Sequence, residues 1–320
     1  MKNLDDFKCV SLGVLPTPLY KLEGLSRETG RNLYIKRDDL TGVALGGNKV
    51  RKLEFLLADA LKNRATTVLT AGGPQSNHAM LTAACAARLK MQSILMLKKR
   101  GVLEGGNLIL DQLYGAEVEF IDTDSYDDVY AAMEARMEKL RAEGLNPYFI
   151  PVGGSVPLGC LGYVNCAREI AAQAEALGVK FGHIVSSTGS GGTYAGLTLG
   201  AKLYLPGTQS VGIGVCDDPF ETIALDLMQG AAALLESEVS FGPKDIKIHY
   251  HIGPGYAQPS PEGMAAVQRL ARTEGILADP VYTGKGLAGL FQLLEEGYFP
   301  EGENILFVHT GGAGALFAVG

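Results

Sequence analysis

The sequence predicts an α/β protein with open, twisted, mostly parallel sheets that are covered by helices on both faces. Short apolar runs of strand length alternate with longer stretches of helical periodicity, which is typical of parallel βαβ units. The 42 glycines concentrate after these apolar runs, where strands pass into helices. With 320 residues, 47% of them hydrophobic, the chain can bury one large or two medium cores. Ligands of such proteins bind beyond the carboxyl ends of the strands.

In the first half of the chain, three apolar runs predict strands and two helical patterns follow them. The strands are residues 66–71, 93–97 and 117–121, and the helices begin at about Asn77 and Tyr126. The segment 151–159 is rich in proline and glycine and interrupts the pattern, so we interpret it as a domain boundary. A strong helical pattern follows over residues 161–177.

The second half continues the alternation of strands and helices. Its predicted strands are residues 183–187, 211–215, 247–252 and 304–309. Its predicted helices are residues 193–204, 219–235, 261–274 and 287–297. Because strands that alternate with helices pair in parallel, we expect both faces of the sheets to be covered.

The composition argues against several classes of protein. The formal net charge is −7 and the longest basic run is Lys98-Lys99-Arg100, so we predict no nucleic-acid partner. The five cysteines have spacings that match neither a zinc site nor a disulfide framework, which favours reduced thiols, a cytoplasmic location and no bound metal. No stretch reaches the length of a membrane span and no apolar leader is visible, so we predict no membrane partner.

The segment Gly46-Gly47-Asn48-Lys49 places a lysine at the start of a predicted helix. The positive end of the helix macrodipole lies there and disfavours an ammonium group. A lysine that loses its proton readily attacks carbonyl carbons and forms Schiff bases. We therefore predict that Lys49 is catalytic and acts with an aldehyde cofactor, while an ordinary surface lysine is the structural alternative.

A second motif, Ser187-Thr188-Gly189-Ser190-Gly191-Gly192-Thr193, joins a buried strand to a helix. Backbone N–H groups and hydroxyl groups at such a junction can converge on one phosphate group. A dinucleotide-binding loop is a competing interpretation, but the glycines of the motif do not fit its G-x-G-x-x-G register. A tight turn that binds no ligand is the structural alternative.

A third motif, Gln75-Ser76-Asn77-His78, follows a strand and starts a helix. Its exposed N–H groups can hold a substrate carboxylate, with the Ser76 hydroxyl facing the reacting carbon. Capping of the helix by Ser76 or Asn77 is the structural alternative. We assign no acid–base role to His78, because a single histidine one turn into a helix is more often packed or hydrogen bonded.

Four later residues stand in turns that follow extended runs: Tyr256, Tyr282, Thr283 and Thr310. The tyrosines can stack on a ring or move a proton, and the threonines can donate a hydrogen bond to a ring atom. The structural alternative is that these side chains only fill the crevice between loops.

Together these motifs resemble the fold-type II pyridoxal-phosphate enzymes, in particular the branch that contains D-cysteine desulfhydrase and 1-aminocyclopropane-1-carboxylate deaminase. The resemblance covers nearly the whole chain, from Leu15-Pro16-Thr17-Pro18-Leu19 and Ile35-Lys36-Arg37-Asp38-Asp39-Leu40 to the turn Thr310-Gly311-Gly312. It implies a tryptophan synthase β-like fold with two open, twisted, mostly parallel sheets. It also implies a large cofactor-binding domain of residues 1–52 plus 161–320, a small domain of residues 53–160 that closes over the active site, and a homodimer.

The resemblance implies a role for each motif, with Lys49, Ser76, Tyr256 and Tyr282 as catalytic residues. Lys49 would form the Schiff base with pyridoxal 5'-phosphate, and Asn48 or Asn77 would hydrogen-bond its phenolic oxygen. The cofactor phosphate would bind to Thr188, Gly189, Ser190, Gly191, Gly192 and Thr193. The substrate would bind to Gln75, Ser76, Asn77 and His78 with its carboxylate and would lie beside Tyr256 and Tyr282, and Thr310 would face the pyridine nitrogen with Thr283 as a further cofactor contact.

The implied chemistry is β-elimination. A hydroxyl group beside the pyridine nitrogen leaves the ring unprotonated and makes it a weaker electron sink, which favours expulsion of a β leaving group. The implied enzyme is a carbon–sulfur lyase that converts D-cysteine into pyruvate, hydrogen sulfide and ammonia. L-Cysteate sulfo-lyase is the first alternative, because sulfite would leave by the same elimination. A ring-opening deaminase, which typically has glutamate and leucine in place of Thr283 and Thr310, and a non-catalytic cofactor-binding protein rank lower.

Overall fold

The computed structural model describes residues 2–318, within which ten strands and ten α-helices are present. The strands are β1 (Leu19–Lys21), β2 (Asn32–Arg37), β3 (Thr67–Gly72), β4 (Gln92–Lys98), β5 (Glu117–Ile121), β6 (Pro147–Ile150), β7 (Phe181–Thr188), β8 (Gln209–Gly214), β9 (Ile248–Tyr250) and β10 (Asn304–His309). The helices are α1 (Glu23–Thr29), α2 (Lys49–Lys62), α3 (Asn77–Arg88), α4 (Asn107–Leu113), α5 (Tyr126–Ala142), α6 (Pro157–Leu177), α7 (Gly192–Tyr204), α8 (Phe220–Leu234), α9 (Pro261–Glu274) and α10 (Thr283–Glu295).

The strands form two open sheets. The larger sheet has the order β1-β2-β10-β7-β8-β9, in which β1 runs antiparallel to β2 and the other described neighbours are parallel. The smaller sheet has the order β5-β4-β3-β6 and is parallel throughout the described strands. The predicted α/β class with two mostly parallel sheets is confirmed. The smaller sheet falls within residues 53–160, while the boundary of a small domain there stays a prediction.

Each predicted strand is present, with ends that differ by a few residues. Strands β1, β2 and β6 and the seven-residue helices α1 and α4 were not predicted from the sequence. Strands of three or four residues, such as β1 and β6, are too short to show a period of two. Helix α6 begins four residues earlier than predicted, at a proline, which is favourable in the first turn of a helix.

Helix α10 also begins four residues earlier than predicted, at Thr283. Gly284 and Gly286 weaken the helical pattern at this point. The carboxylate of Asp279 accepts hydrogen bonds from the N–H groups of residues 281–283 at 2.7–2.9 Å. It therefore satisfies backbone donors that the start of a helix leaves without partners.

Buried charges fix helix α2, whose first residue is Lys49. The side chain of Arg51 is 1% exposed, and it pairs with Asp38 at 2.8 Å and with Glu169 of α6 at 3.0 Å. Helix α6 also approaches α2 closely at Gly162, where a Cβ atom would lie 2.3 Å from the Arg51 carbonyl oxygen. These contacts hold the start of α2 against α6 and the turn after β2.

The hydrophobic core lies between each sheet and its helices. Strands β3, β7, β8 and β10 are buried along almost their whole length, as expected for parallel strands that are covered on both faces. The turns after β3, β7 and β10 line one cavity. Within residues 2–318, no helix is both long enough and apolar enough to cross a bilayer.

Candidate active site

One cavity brings together most of the residues that the sequence predicted. It lies beyond the carboxyl ends of β3, β7 and β10 and holds about 670 Å³ of space that is partly open to solvent. The predicted residues that line it are Asn48, Lys49, Ser76, Asn77, His78, Thr188, Gly189, Ser190, Gly191, Thr193, Tyr256, Tyr282 and Thr310. Gln75, Gly192 and Thr283 lie outside this lining.

Lys49 is the first residue of α2, as the sequence predicted, and its Nζ donates to Asn48 Oδ1 at 3.2 Å. Burial lowers the pKa of Lys49 well below its usual value, and the positive charge of Lys52 lowers it further. The direction of this shift is the one predicted from the helix macrodipole, and the structure adds burial and a second lysine as causes. A lower pKa increases the fraction of the neutral amine, which is the form that attacks a carbonyl carbon.

Gly46 and Gly47 hold the turn before α2 in a conformation that other residues rarely adopt. Their φ angles are 72° and 140°, and a Cβ atom on Gly46 would lie 1.7 Å from the Asp39 carbonyl oxygen. The N–H group of Asn48 donates to the Thr310 carbonyl oxygen at 3.0 Å. The turn therefore joins the start of α2 to the turn after β10 across the cavity.

The turn from β7 into α7 lies beside a buried lysine that the sequence analysis missed. The Nζ atom of Lys52 donates to the Gly153 carbonyl oxygen at 3.0 Å and to Ser155 Oγ at 3.2 Å. A Cβ atom on Gly192 would lie 2.7 Å from this Nζ atom, and the Gly192 N–H group donates to Ser155 Oγ. Burial lowers the pKa of Lys52 to about 8. A lysine beside exposed N–H groups at a helix start is suited to binding a phosphate group.

Asn48 and Asn77 were both candidates for the hydrogen bond to the phenolic oxygen of a cofactor, and they differ in their present partners. Asn48 donates through Nδ2 to Thr193 Oγ1 at 2.9 Å and accepts through Oδ1 from Lys49. Asn77 accepts through Oδ1 from Asn107 at 2.8 Å, which leaves its Nδ2 for a ligand in the cavity. The geometry therefore favours Asn77 over Asn48 as the donor to a cofactor.

Ser76 caps helix α3, as the structural alternative from the sequence proposed, since its Oγ accepts a hydrogen bond from the Ala79 N–H group at 3.2 Å. It also lines the cavity. The Gln75 side chain has other partners: its Oε1 accepts from the Asn107 N–H group and its Nε2 donates to carbonyl oxygens within residues 102–105. The prediction that Gln75 binds substrate is therefore limited to its backbone.

His78 of α3 is buried, and its ring joins this helix to β3. The Thr70 hydroxyl donates to the Ile150 carbonyl oxygen, so His78 Nε2, 2.8 Å away, donates to Thr70. Burial lowers the pKa of His78 well below its usual value, and Lys49 and Lys52 lower it further. The ring is neutral, and its N–H donor at Nε2 is bonded to Thr70. The prediction that His78 binds the substrate carboxylate is therefore limited to its backbone N–H group.

Tyr256 and Tyr282 share a hydrogen bond of 2.6 Å between their hydroxyl oxygens. Burial raises the pKa of both phenols. Gly189 makes room for this pair, because a Cβ atom there would lie 2.8 Å from the Tyr282 ring. A third tyrosine, Tyr126 at the start of α5, also lines the cavity and was missed by the sequence analysis.

The two predicted threonines have different positions. Thr310 lines the cavity. The Thr283 hydroxyl donates to the Asp279 carboxylate at 2.5 Å and accepts from the Asp279 N–H group at 2.7 Å. The predicted cofactor contact of Thr283 is therefore replaced by a bond to Asp279, a buried residue that the sequence analysis did not single out as a site residue.

The residues of this cavity fit pyridoxal phosphate. Lys49 offers a neutral amine for the aldehyde, and the α7 helix start with Lys52 offers a site for the phosphate. Asn77 and Thr310 offer polar groups for the ring. A family model described as pyridoxal-phosphate dependent enzyme matches residues 10–311. The chain is a pyridoxal-phosphate dependent enzyme.

Relatives of this pyridoxal-phosphate dependent enzyme include two D-cysteine desulfhydrases. That of Yersinia enterocolitica is 46% identical over 311 residues, which cover 94% of this chain and 93% of the relative. That of Serratia proteamaculans is 43% identical over 324 residues, which cover 99% and 97%.

Two solved structures support the same fold. An ACC deaminase homologue has a TM-score of 0.91 at 41% identity, covering 98% of this chain and 94% of that protein. A threonine deaminase from T.th. has a TM-score of 0.68 at 21% identity, covering 92% of each chain, and this likeness concerns the fold alone. The fold is that of the fold-type II pyridoxal-phosphate enzymes.

Proposed function

We propose that this enzyme eliminates the β substituent of D-cysteine and releases pyruvate, hydrogen sulfide and ammonia. The observation that carries the proposal is the 43–46% identity, over nearly the whole chain, to proteins named D-cysteine desulfhydrase. The cavity supports it, because Lys49, Ser76, Tyr256 and Tyr282 lie around one space. The Cβ–S bond breaks, and one water molecule is consumed for each molecule of D-cysteine.

Bound pyridoxal phosphate supplies electron withdrawal from the Cα atom of an attached amino acid. The neutral Nζ atom of Lys49 then takes the Cα proton as the general base. The N–H groups at the start of α3, from Ser76 to His78, hold the substrate carboxylate, because the positive end of the helix dipole lies there. Lys52 holds the phosphate group of the cofactor.

The pair formed by Tyr256 and Tyr282 donates a hydrogen bond to the leaving sulfur atom and stabilises the negative charge that develops there. Burial raises the pKa of both phenols, so both hold their protons at neutral pH. The two hydroxyl groups share one hydrogen bond, which uses one of their two protons. The second hydroxyl group is free to donate a hydrogen bond to the hydrosulfide ion that leaves within the cavity.

The test is product release by the purified enzyme loaded with pyridoxal phosphate. D-Cysteine, L-cysteine, L-cysteate and 1-aminocyclopropane-1-carboxylate are assayed in parallel for sulfide, sulfite, pyruvate and 2-oxobutyrate. We expect sulfide and pyruvate chiefly from D-cysteine, and none with the Lys49→Ala variant. Sulfite from L-cysteate would replace the proposal with a sulfo-lyase activity in the same cavity, and 2-oxobutyrate would replace it with ring-opening deamination.

We further propose that the enzyme is a homodimer that associates through an exposed apolar patch, defined by Leu45, Ile109, Leu113 and Phe317. These side chains are 44%, 53%, 74% and 70% exposed. Ile109 and Leu113 lie one turn apart on α4, and Leu45 packs beside Gly314 in the turn that carries Phe317. An apolar patch of this kind is typical of a protein interface.

Sedimentation velocity tests the homodimer. We expect the native chain to sediment as a dimer and Leu113→Asp to sediment as a monomer. Leu177→Asp is the matched control, because Leu177 is 48% exposed at the end of α6, outside the patch. A monomeric native protein, or an unchanged Leu113→Asp dimer, would contradict the proposed interface.

We also propose a cytoplasmic location. The chain has five free cysteines, of which Cys85, Cys160, Cys166 and Cys216 are buried. Unpaired thiols persist where the compartment is reducing. Cell fractionation tests this location, and recovery of the protein outside the cytoplasmic fraction would contradict it.

A further inference from the structure

Asn107, the first residue of α4, is at the centre of a hydrogen-bonded cluster next to the cavity. Its side chain is fully buried. Its Nδ2 donates to the Gln75 carbonyl oxygen at 2.9 Å and to Asn77 Oδ1 at 2.8 Å. Its backbone N–H group donates to Gln75 Oε1 at 2.8 Å. Asn107 therefore contacts the turn that begins α3 at three points, although it is 30 residues away from Asn77 in the sequence.

These partners determine which way round each amide lies. The Gln75 carbonyl oxygen can only accept a hydrogen bond, so the Asn107 atom that faces it must be the nitrogen. The same nitrogen faces Asn77, so the Asn77 atom nearest to it must be the oxygen. The other end of the Asn77 amide, the donor Nδ2, is left for the cavity that Lys49 lines.

We propose that Asn107 is a positioning residue that fixes the Asn77 amide with its Nδ2 donor toward the cofactor. Asn77 then donates to the phenolic oxygen of bound pyridoxal phosphate. This inference rests on cofactor binding, which is part of the proposed function, and not on the identity of the substrate. A flipped Asn77 amide would present an oxygen acceptor to the phenolic oxygen instead, and the two oxygens would repel each other.

A second element limits the space at the oxygen end of the Asn107 amide. Gly314 lies in the turn after Thr310, and a Cβ atom on it would lie 2.3 Å from Asn107 Oδ1. The absence of a side chain at Gly314 is therefore necessary for the observed position of the Asn107 amide. Gly314→Ala disturbs Asn107 without changing any residue in the cluster, which makes it a second and independent test.

The experiment is a double-mutant cycle on cofactor affinity, measured by titrating the apo enzyme with pyridoxal phosphate and following the visible absorption band. Asn107→Asp is nearly isosteric but replaces the Nδ2 donor with an acceptor, so Asn77 must turn its own nitrogen away from the cavity. We expect Asn107→Asp to weaken cofactor binding about tenfold, the cost of one hydrogen bond to an ionised oxygen. We expect a clearly smaller loss when Asn77 is already alanine, because only the lost contact with the Gln75 carbonyl oxygen then remains.

An equal loss of affinity in both backgrounds would overturn the proposal, because Asn107 would then act on the fold in general. Unchanged affinity of Asn107→Asp would overturn it as well. Thermal unfolding of each apo variant verifies that it folds. If Asn107→Asp does not fold, Gly314→Ala replaces it in the double-mutant cycle, and the same dependence of the affinity loss on Asn77 is expected. The result is independent of the D-cysteine assay, so failure of the substrate assignment is distinguishable from failure of this inference.

Discussion

At the scale of single residues, two lysines one turn apart on α2 share a buried environment but have different partners. Lys49 lies beside Asn48 and opens onto the cavity, while Lys52 is bonded to Gly153 and Ser155 near the start of α7. Burial lowers the pKa of both ammonium groups, and the charge of Lys52 lowers that of Lys49 further. Lys52 thus has two effects, as a partner for an anion and as a source of the neutral amine at Lys49.

We expect Lys52→Gln to weaken binding of pyridoxal phosphate about tenfold to a hundredfold, because a charged hydrogen bond to phosphate is lost. The measurement is a titration of the apo enzyme with the cofactor. Lys62→Gln is the control, since Lys62 is an exposed lysine in the last turn of the same helix. Equal affinities of the Lys52→Gln and Lys62→Gln variants would remove Lys52 from the phosphate site.

Ser76 combines a capping role with a place in the cavity, and a second capping serine separates the two. Ser125 caps α5 by accepting from the Asp127 N–H group at 3.1 Å. We expect Ser76→Ala and Ser125→Ala each to lower the free energy of unfolding by about 1 kcal/mol in urea denaturation. Only Ser76→Ala should also lower kcat/KM. An equal kcat/KM for the two variants would mean that Ser76 caps the helix and has no role in catalysis.

The sequence predicted residues that stand in local motifs, and the cavity brings together most of them, with Gln75, Gly192 and Thr283 outside its lining. Lys52 was missed because its partners Gly153 and Ser155 are 101 and 103 residues away in the chain. A signal was present: Lys52 follows Lys49 by three residues, so both side chains lie on the same side of the helix. Asn107 gave no such signal, because its contacts with residues 75–77 depend on how α4 packs.

At the scale of elements, local patterns predicted the starts of α2, α3, α5 and α9 correctly, but they missed the six-residue strand β2 and placed the start of α10 four residues too late. Helix α10 begins in a glycine-rich segment where the pattern predicts a turn, and the carboxylate of Asp279 satisfies its first N–H groups. Thr283 completes this start by donating to the same carboxylate. The capping contact, rather than helix propensity, decides where α10 begins, and it removes Thr283 from the cavity.

The ion pairs of Arg51 position helix α2 and, with it, the catalytic residue Lys49. Arg51 pairs with Asp38 and Glu169 in a nearly dry environment, so Arg51→Met would leave the buried Asp38 carboxylate without its ion-pair partner, while Glu169 would keep its pair with Lys36. We expect a loss of about 3–5 kcal/mol in the free energy of unfolding, measured by urea denaturation, and weaker cofactor binding through displacement of Lys49. Arg141→Met is the control, because Arg141 is exposed in the last turn of α5.

An Arg51→Met variant that unfolds at the same urea concentration as the native enzyme would contradict this role of the buried network. A variant that is less stable but binds cofactor with native affinity would limit the network to stability. The two measurements therefore separate support of the fold from support of the site.

At the scale of the whole molecule, the cavity takes residues from both sheets. The turn after β3 and Tyr126 at the start of α5 belong to the side of the smaller sheet, while β7 and β10 belong to the larger sheet. A site divided in this way can be completed by movement of one part against the other. Closure of residues 53–160 over the cavity stays a prediction that agrees with this division.

Stability of the whole molecule should depend on pH through Asp111 of α4, whose side chain is 1% exposed. Neither of its carboxylate oxygens has a hydrogen-bond partner within the described residues. Burial raises the pKa of Asp111 to about 7 from its ordinary value of 3.8. Between pH 3.8 and pH 7 the folded state binds the Asp111 proton more tightly than the unfolded state does. The free energy of unfolding therefore falls as the pH rises over this range. The stability that is fully present below pH 3.8 is lost as the pH rises through 7.

We expect Asp111→Asn to remove this dependence, because an amide does not titrate. By linkage, a pKa difference of this size corresponds to about 4 kcal/mol between pH 4 and pH 8 as an upper bound. Urea denaturation at fixed protein concentration from pH 5 to pH 8 measures it: the native enzyme should lose stability relative to Asp111→Asn as the pH rises. Asp226→Asn, at an exposed position of α8, is the control and should follow the native curve. Parallel curves for the native enzyme and Asp111→Asn would mean that the Asp111 carboxyl group finds a partner in solution that keeps it ionised.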